Sequence, residues 1–74
     1  MTPDDALTRA LAAHGATWTI GHDPGLDADM ILVSDREGRF VIGMTIRRHR
    51  DDAVDQMRRI IEANPEMFVD VRMN

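Results

Sequence analysis

Four groups of residues in this 74-residue chain have the types and spacing to do chemistry. His22-Asp23, followed closely by Asp27-Ala28-Asp29, brings an imidazole and three carboxylates into one short stretch, the raw material of a divalent-cation site. Arg47-Arg48-His49-Arg50 is the densest run of positive charge and suits phosphate contacts. Asp23, Asp27, Asp29, Asp35 and Glu37 make an acidic series fitted to a basic partner. Ser34, the only serine, and His14 complete the inventory of potential nucleophiles and bases.

Each group also has a simpler reading. The His22-Asp23 pair resembles the metal-binding dipeptide of the HD-type phosphohydrolases, but that family is larger and all-helical, with further ligands on helices this chain has no room for. Asp-x-Asp pairs arise often in a chain with ten aspartates, so Asp27-Ala28-Asp29 reads as a solvated turn. The sequence therefore predicts no metal site and no cofactor. Ser34 has no histidine placed beside it by spacing, there is no cysteine, and neither an HExxH run nor a glycine-rich phosphate cradle is present. The expectation is a protein that is not an enzyme.

Charge and composition narrow the partners. Thirteen acidic against nine basic residues give a net charge of −4, the wrong sign for a domain whose affinity comes from neutralising phosphates along a duplex. All nine basic residues are arginine, which reads first as coding bias. The absence of cysteine fits a reducing compartment and gives no disulfide framework. The start, Met1-Thr2-Pro3-Asp4-Asp5, lacks the basic and apolar regions of a signal peptide, and no apolar run approaches the ~20 residues that span a bilayer. A cytoplasmic protein of a bacterial host, with no membrane contact, is expected.

The elements that position these groups follow from periodicity. The clearest is a helix beginning near Asp51 as N-cap, with Ala53, Val54, Met57, Ile60 and Ile61 on one apolar stripe and the pairs Asp55/Arg59 and Arg58/Glu62 on the other face. It should stop at Asn64-Pro65, with Asn64 in the left-handed conformation. An earlier helix starts with Thr2 as N-cap and Pro3 at N1, carries Leu7, Ala10, Leu11 and His14 on one stripe, and ends before Gly15.

Between them lie three strands. Ala16 to Ile20 alternates around Trp18, which is expected in the core; Gly21 to Ala28 is a loop by composition; Met30 to Val33 is a continuous apolar run expected to be covered on both faces. Asp35-Arg36-Glu37-Gly38 is a type I turn with a following glycine. In the return strand Arg39 to Ile46, Phe40, Ile42, Met44 and Ile46 should share one face and Val41, Gly43 and Thr45 the other. Met67 to Arg72 alternates as a fourth strand, with Phe68 on its wet side. The sequence thus predicts a single compact α+β domain over residues 1–74, in the order α-β-β-β-α-β, with an antiparallel sheet of three to four strands and two helices on one face. The other sheet face is left bare, and with the edge near Met67 to Met73 it implies a monomer or weak homodimer.

Two resemblances follow. The order helix, three strands, helix over residues 3 to 63 resembles the double-stranded-RNA-binding domain, which implies phosphate contacts from Arg47, Arg48 and Arg50 at the start of the second helix. Asp51, Asp52 and Asp55 stand where that family places lysines, and Gly21-His22-Asp23-Pro24 scrambles its Gly-Pro-x-His loop. In size, acidity and architecture the chain is similar to small phage-encoded inhibitors of the anti-CRISPR type, with no residue motif to carry over. That likeness implies a non-enzymatic inhibitor from a phage or mobile element, whose acidic surface of Asp23, Asp27, Asp29, Asp35 and Glu37 blocks a host nucleic-acid-binding defence complex. An antitoxin or immunity protein has the same sequence profile.

Overall fold

The computed structural model of the chain describes residues 1–68. Its elements are α1 (Pro3–Ala12), β1 (Thr17–Asp23), β2 (Ala28–Ser34), β3 (Phe40–Thr45), α2 (Arg50–Ala63) and a 3₁₀ turn, Pro65–Phe68. The strands form an antiparallel sheet in the order β1-β2-β3. The fold class is α+β, as the periodicities predict.

The helix ends show why these segments fold locally. Thr2 accepts a hydrogen bond from the Asp5 amide through Oγ1 at 3.1 Å, Pro3 opens α1, and Asp4 and Asp5 occupy its first turn. Gly15, at φ +69°, closes the helix while the Ala16 amide reaches back to the Leu11 carbonyl at 3.0 Å. In α2 the expected N-cap is displaced by two residues. His49 is extended and its carbonyl accepts from the Ala53 amide, so helical geometry begins at Arg50 and Asp51 falls inside the first turn. At the other end Asn64 stays at negative φ and its Nδ2 donates to the Ile60 carbonyl at 2.9 Å; this side-chain closure replaces the left-handed one.

Both helices lie on one face of the sheet. Leu7 and Leu11 of α1 and Val54, Met57 and Ile61 of α2 meet Ile31 and Val33 of β2, and all seven are fully buried. Ala53, expected on the α2 stripe, is buried with them, while Ile60 is half-buried. Trp18 sits at the margin of this core, its Nε1 donating to Thr8 Oγ1 at 2.9 Å.

The strands run longer than composition suggested. Gly21, His22 and Asp23 pair with Met30, Asp29 and Ala28, so the stretch read as loop shrinks to residues 24–27. Asp27 turns that loop at φ +48°. The second hairpin is as expected: the Asp35 amide donates to the Arg39 carbonyl, the Gly38 amide to the Asp35 carbonyl, and Gly38 takes φ +79°. The central run is covered on one side only, since Ile31 and Val33 are buried while Met30 and Leu32 face away from the helices.

Strand β3 corrects the expected alternation. Val33 pairs with Ile42 and Ser34 with Phe40, which leaves Val41 as an extra residue. The bulge inverts the sidedness of what precedes it. Ile42 and Met44 face the core, Val41 packs there as well, and Phe40 lies on the open face, 64% exposed, with its Cζ 3.3 Å from where a Cβ on Gly43 would stand. The open face therefore carries four rows: Thr17/Ser34/Phe40, Thr19/Leu32/Gly43, Gly21/Met30/Thr45 and, beside the β1–β2 turn, Asp23/Ala28.

The fourth strand is not found where the described residues reach. Met67 and Phe68 belong to a 3₁₀ turn that follows Pro65, and Phe68 stacks on His14 with ring centroids 4.5 Å apart. The remainder of that expected strand lies outside the described residues.

Candidate functional site

The five carboxylates expected to form one acidic surface are divided between the two ends of the sheet. Asp23, Asp27 and Asp29 surround the β1–β2 turn; Asp35 and Glu37 belong to the β2–β3 turn, at the opposite end of the seven-residue strand β2. At ~3.3 Å per residue the two groups stand roughly 20 Å apart. Alternating antiparallel strands force this division, because consecutive hairpin turns must fall at opposite ends.

The two groups also differ in how their charge is used. Asp35 accepts from the Glu37 and Arg39 amides through Oδ1, each at 2.9 Å, and from Arg39 Nε through Oδ2 at 3.2 Å. The Arg39 amide, with help from the Glu37 amide and the Arg39 charge, holds the Asp35 carboxyl below its ordinary range. Glu37 meets the other side of the Arg39 guanidinium at 3.1 Å. These two carboxylates build and neutralise their own turn.

At the other end the charge is directed outward. Asp23 Oδ1 accepts from the Gly25 amide at 2.9 Å, an Asx turn that sets the loop. The tip then presents Leu26, 61% exposed, beside Asp27, whose side chain is 96% exposed. The His22 ring lies between two carboxylates, Nδ1 3.2 Å from Asp29 and Nε2 3.6 Å from Asp27. Among the described residues no group of three or more histidines and carboxylates is arranged to hold a metal ion.

The basic run is likewise broken up. Arg50 donates to both Asp4 oxygens at 2.8 Å, and its guanidinium lies 5.8 Å from the centre of the Trp18 ring. Hydrogen bonding to Arg50 holds the Asp4 carboxyl below its ordinary range and raises Arg50 in turn. Arg47 and Arg48 are exposed and have no carboxylate within 4.0 Å among the described residues. They line an open groove of about 620 Å³ with His49, Asp52 and Gln56 at the start of α2.

Topology places these arginines beside the acidic tip. The Ile46 amide donates to the Asp29 carbonyl at 2.8 Å, and Arg47 shares a second groove with Leu26 and Asp27. One end of the sheet thus holds outward-facing carboxylates, one exposed leucine and two arginines side by side. Sequence spacing missed this neighbourhood because Asp27 and Arg47 are brought together by pairing across β2. Ser34 pairs with Thr17 on the open face, at the opposite end of β2 from Asp29, the partner of His22. No helix among the described residues is long and apolar enough to cross a membrane. No family model, curated protein or solved structure matches the chain.

Proposed function

We propose that the protein is a non-enzymatic inhibitor that binds a host protein or complex through the tip of the β1–β2 hairpin. The surface it meets is basic and normally handles nucleic acid. The observation that carries this reading is the tip itself: Leu26 stands 61% exposed beside the almost fully exposed Asp27, on a turn pinned by Asp23. An exposed apolar side chain on a pinned turn supplies an anchor at low ordering cost, and carboxylates around it raise the rate of encounter with a positive surface. Asp35 and Glu37, spent on Arg39, stand outside the contact.

The test is a tagged retention experiment from source-cell lysate, with and without nuclease, comparing the native chain with the Asp23→Asn/Asp27→Asn/Asp29→Asn variant. Asparagine keeps the Asx-turn acceptor at position 23 and tolerates the positive φ at position 27, so the loop is preserved while its charge is removed. A stoichiometric protein that survives nuclease and binds the variant more weakly, with the difference shrinking at high salt, is the expected result. Equal retention of the two proteins at every salt concentration rejects the reading.

A second reading rests on Arg47 and Arg48, which no carboxylate neutralises among the described residues. In it the groove at the start of α2 takes a nucleic-acid phosphate backbone. The nearby Asp27 and Asp52 oppose that use, and Arg50 is withdrawn to Asp4. An antitoxin or immunity protein is a variant of the first reading, with a toxin as the partner.

A further inference from the structure

We propose that His22 makes the hairpin tip sensitive to pH: the protonated ring binds Asp27 and Asp29 together and ties the tip to β2, and the neutral ring releases Asp27. The change in the loop stands on its own geometry; its consequence for partner binding rests on the hairpin-tip reading.

The ring has a carboxylate at each nitrogen. His22 Nδ1 lies 3.2 Å from Asp29 Oδ1, and Nε2 lies 3.6 Å from Asp27 Oδ1. A neutral imidazole carries a single N–H, so its other nitrogen presents a lone pair. Either tautomer therefore sets a lone pair against a carboxylate. Only the imidazolium points a proton at both, and imidazole is the side chain whose charge ordinarily changes between about pH 5 and 8.

The two carboxylates differ in how firmly they are held. Asp29 belongs to β2, directly opposite His22 in register, and its carbonyl accepts from the Ile46 amide at 2.8 Å. Asp27 belongs to the turn, at φ +48°, with its side chain 96% exposed. His22 is the one side-chain cation within 4.0 Å of its carboxylate among the described residues. The contact that forms and breaks is therefore the one to Asp27.

The other charges around the ring do not decide its state. Asp23, next along β1, points to the open face and accepts from the Gly25 amide. Arg47, on the chain entering α2, shares a groove with Asp27. Asp23 favours a charged ring and Arg47 opposes one, so their influences have opposite sign. Arg50, which lies over Trp18 of β1, is engaged by Asp4 of α1 and by Asp51.

One proton on His22 offsets one of the three carboxylate charges around the turn and fastens the residue beside Leu26. The tip is thus less negative and more ordered in mild acid, and more negative and freer above neutrality. Its attraction for a basic surface is strongest in the second state.

The experiment compares backbone amide heteronuclear NOEs at about pH 5.5 and about pH 7.5, a window above the ordinary carboxylate range that spans imidazole titration. In the native chain the Leu26 and Asp27 amides should give higher values at the lower pH. His22→Gln keeps a hydrogen-bond donor without a titrating proton, and Asp27→Asn keeps a residue that tolerates the left-handed turn. Both should abolish the difference. In parallel, binding of an oligoarginine peptide at low salt should weaken on acidification by roughly threefold more in the native chain than in His22→Gln, a comparison that cancels protonation of His14 and His49. A native loop equally ordered at the two pH values overturns the proposal. So does a response of equal size in His22→Gln, which would place the titrating group elsewhere. A His22-dependent change in loop order with no change in oligoarginine affinity upholds the switch and counts against the hairpin-tip reading.

Discussion

Asp4 and Arg50, 46 positions apart, are joined by two parallel hydrogen bonds of 2.8 Å, tying the first turn of α1 to the first residue of α2. The guanidinium fork serves two neighbours at once, since its plane lies over Trp18 while its nitrogens face the carboxylate. This closes one side of the core where the two helices and β1 meet.

Replacing Arg50 by lysine should therefore behave as a real loss. Lysine keeps the charge but has neither the fork nor the plane. We expect Arg50→Lys and Asp4→Asn each to lower the thermal midpoint and to shift Trp18 fluorescence, and the double variant to cost less than the sum of the two. Both side chains remain more than a third exposed, so solvent screening keeps the effect below that of a core truncation. Additive losses with unchanged emission would show that the pair is not coupled.

Acid should destabilise the fold through three carboxylates. Arg50 hydrogen bonding lowers Asp4, the Arg39 amide lowers Asp35, and Arg58 hydrogen bonding lowers Asp55. A carboxyl whose pKa is lower folded than unfolded binds fewer protons in the native state, so its contribution is complete above the unfolded value near 4 and is lost as pH falls through the folded value. Urea midpoints should be flat from neutral pH down to about 5 and fall steeply below about 4. A midpoint unchanged at pH 3 would contradict the pairings.

Leu11→Ala should be among the most damaging single truncations. Leu11 is fully buried between α1 and the sheet, and such a cavity costs about 2–5 kcal/mol. Against the roughly 5–15 kcal/mol expected of a whole domain, that leaves a fraction unfolded at 37 °C. Urea unfolding followed by circular dichroism measures it, and a loss under about 1 kcal/mol would show that the site collapses around the cavity.

Gly38→Ala isolates backbone strain. A Cβ at this position meets nothing within 4 Å, so the only penalty is the left-handed φ of +79°. About 1–2 kcal/mol of destabilisation is expected, largely recovered in Gly38→Asn, because asparagine visits that region more readily. Equal losses in the two variants would point to a contact rather than a conformation.

Much of this architecture is legible in the chain because local signals agree. Thr2-Pro3, the Ala53 to Ile61 stripe and Asp35 to Gly38 each combine a pattern with a matching end residue, and each folds close to its expected bounds. What is lost lies where tertiary pairing overrides composition. Gly21-His22-Asp23 has loop chemistry but continues β1 because Ala28, Asp29 and Met30 lie opposite. Phe40 has the hydrophobicity of a core residue and faces outward because of one unpaired neighbour. The acidic series looked continuous in sequence, and the sheet separates it. Arg50 groups with Arg47 and Arg48 as a phosphate contact in sequence, but its partner, Asp4, lies in the first helix, beyond the reach of local spacing.

The extra residue at Val41 gives β3 two halves of opposite parity: odd and even positions exchange sides between Phe40 and Ile42. Changing the length of the 35–39 turn by one residue would undo or double that exchange, whereas a change of two would leave it intact. The hairpin should therefore tolerate evolutionary length variation in pairs. A one-residue deletion there is the smallest lesion that would carry an aromatic ring from solvent into an interior with no space reserved for it.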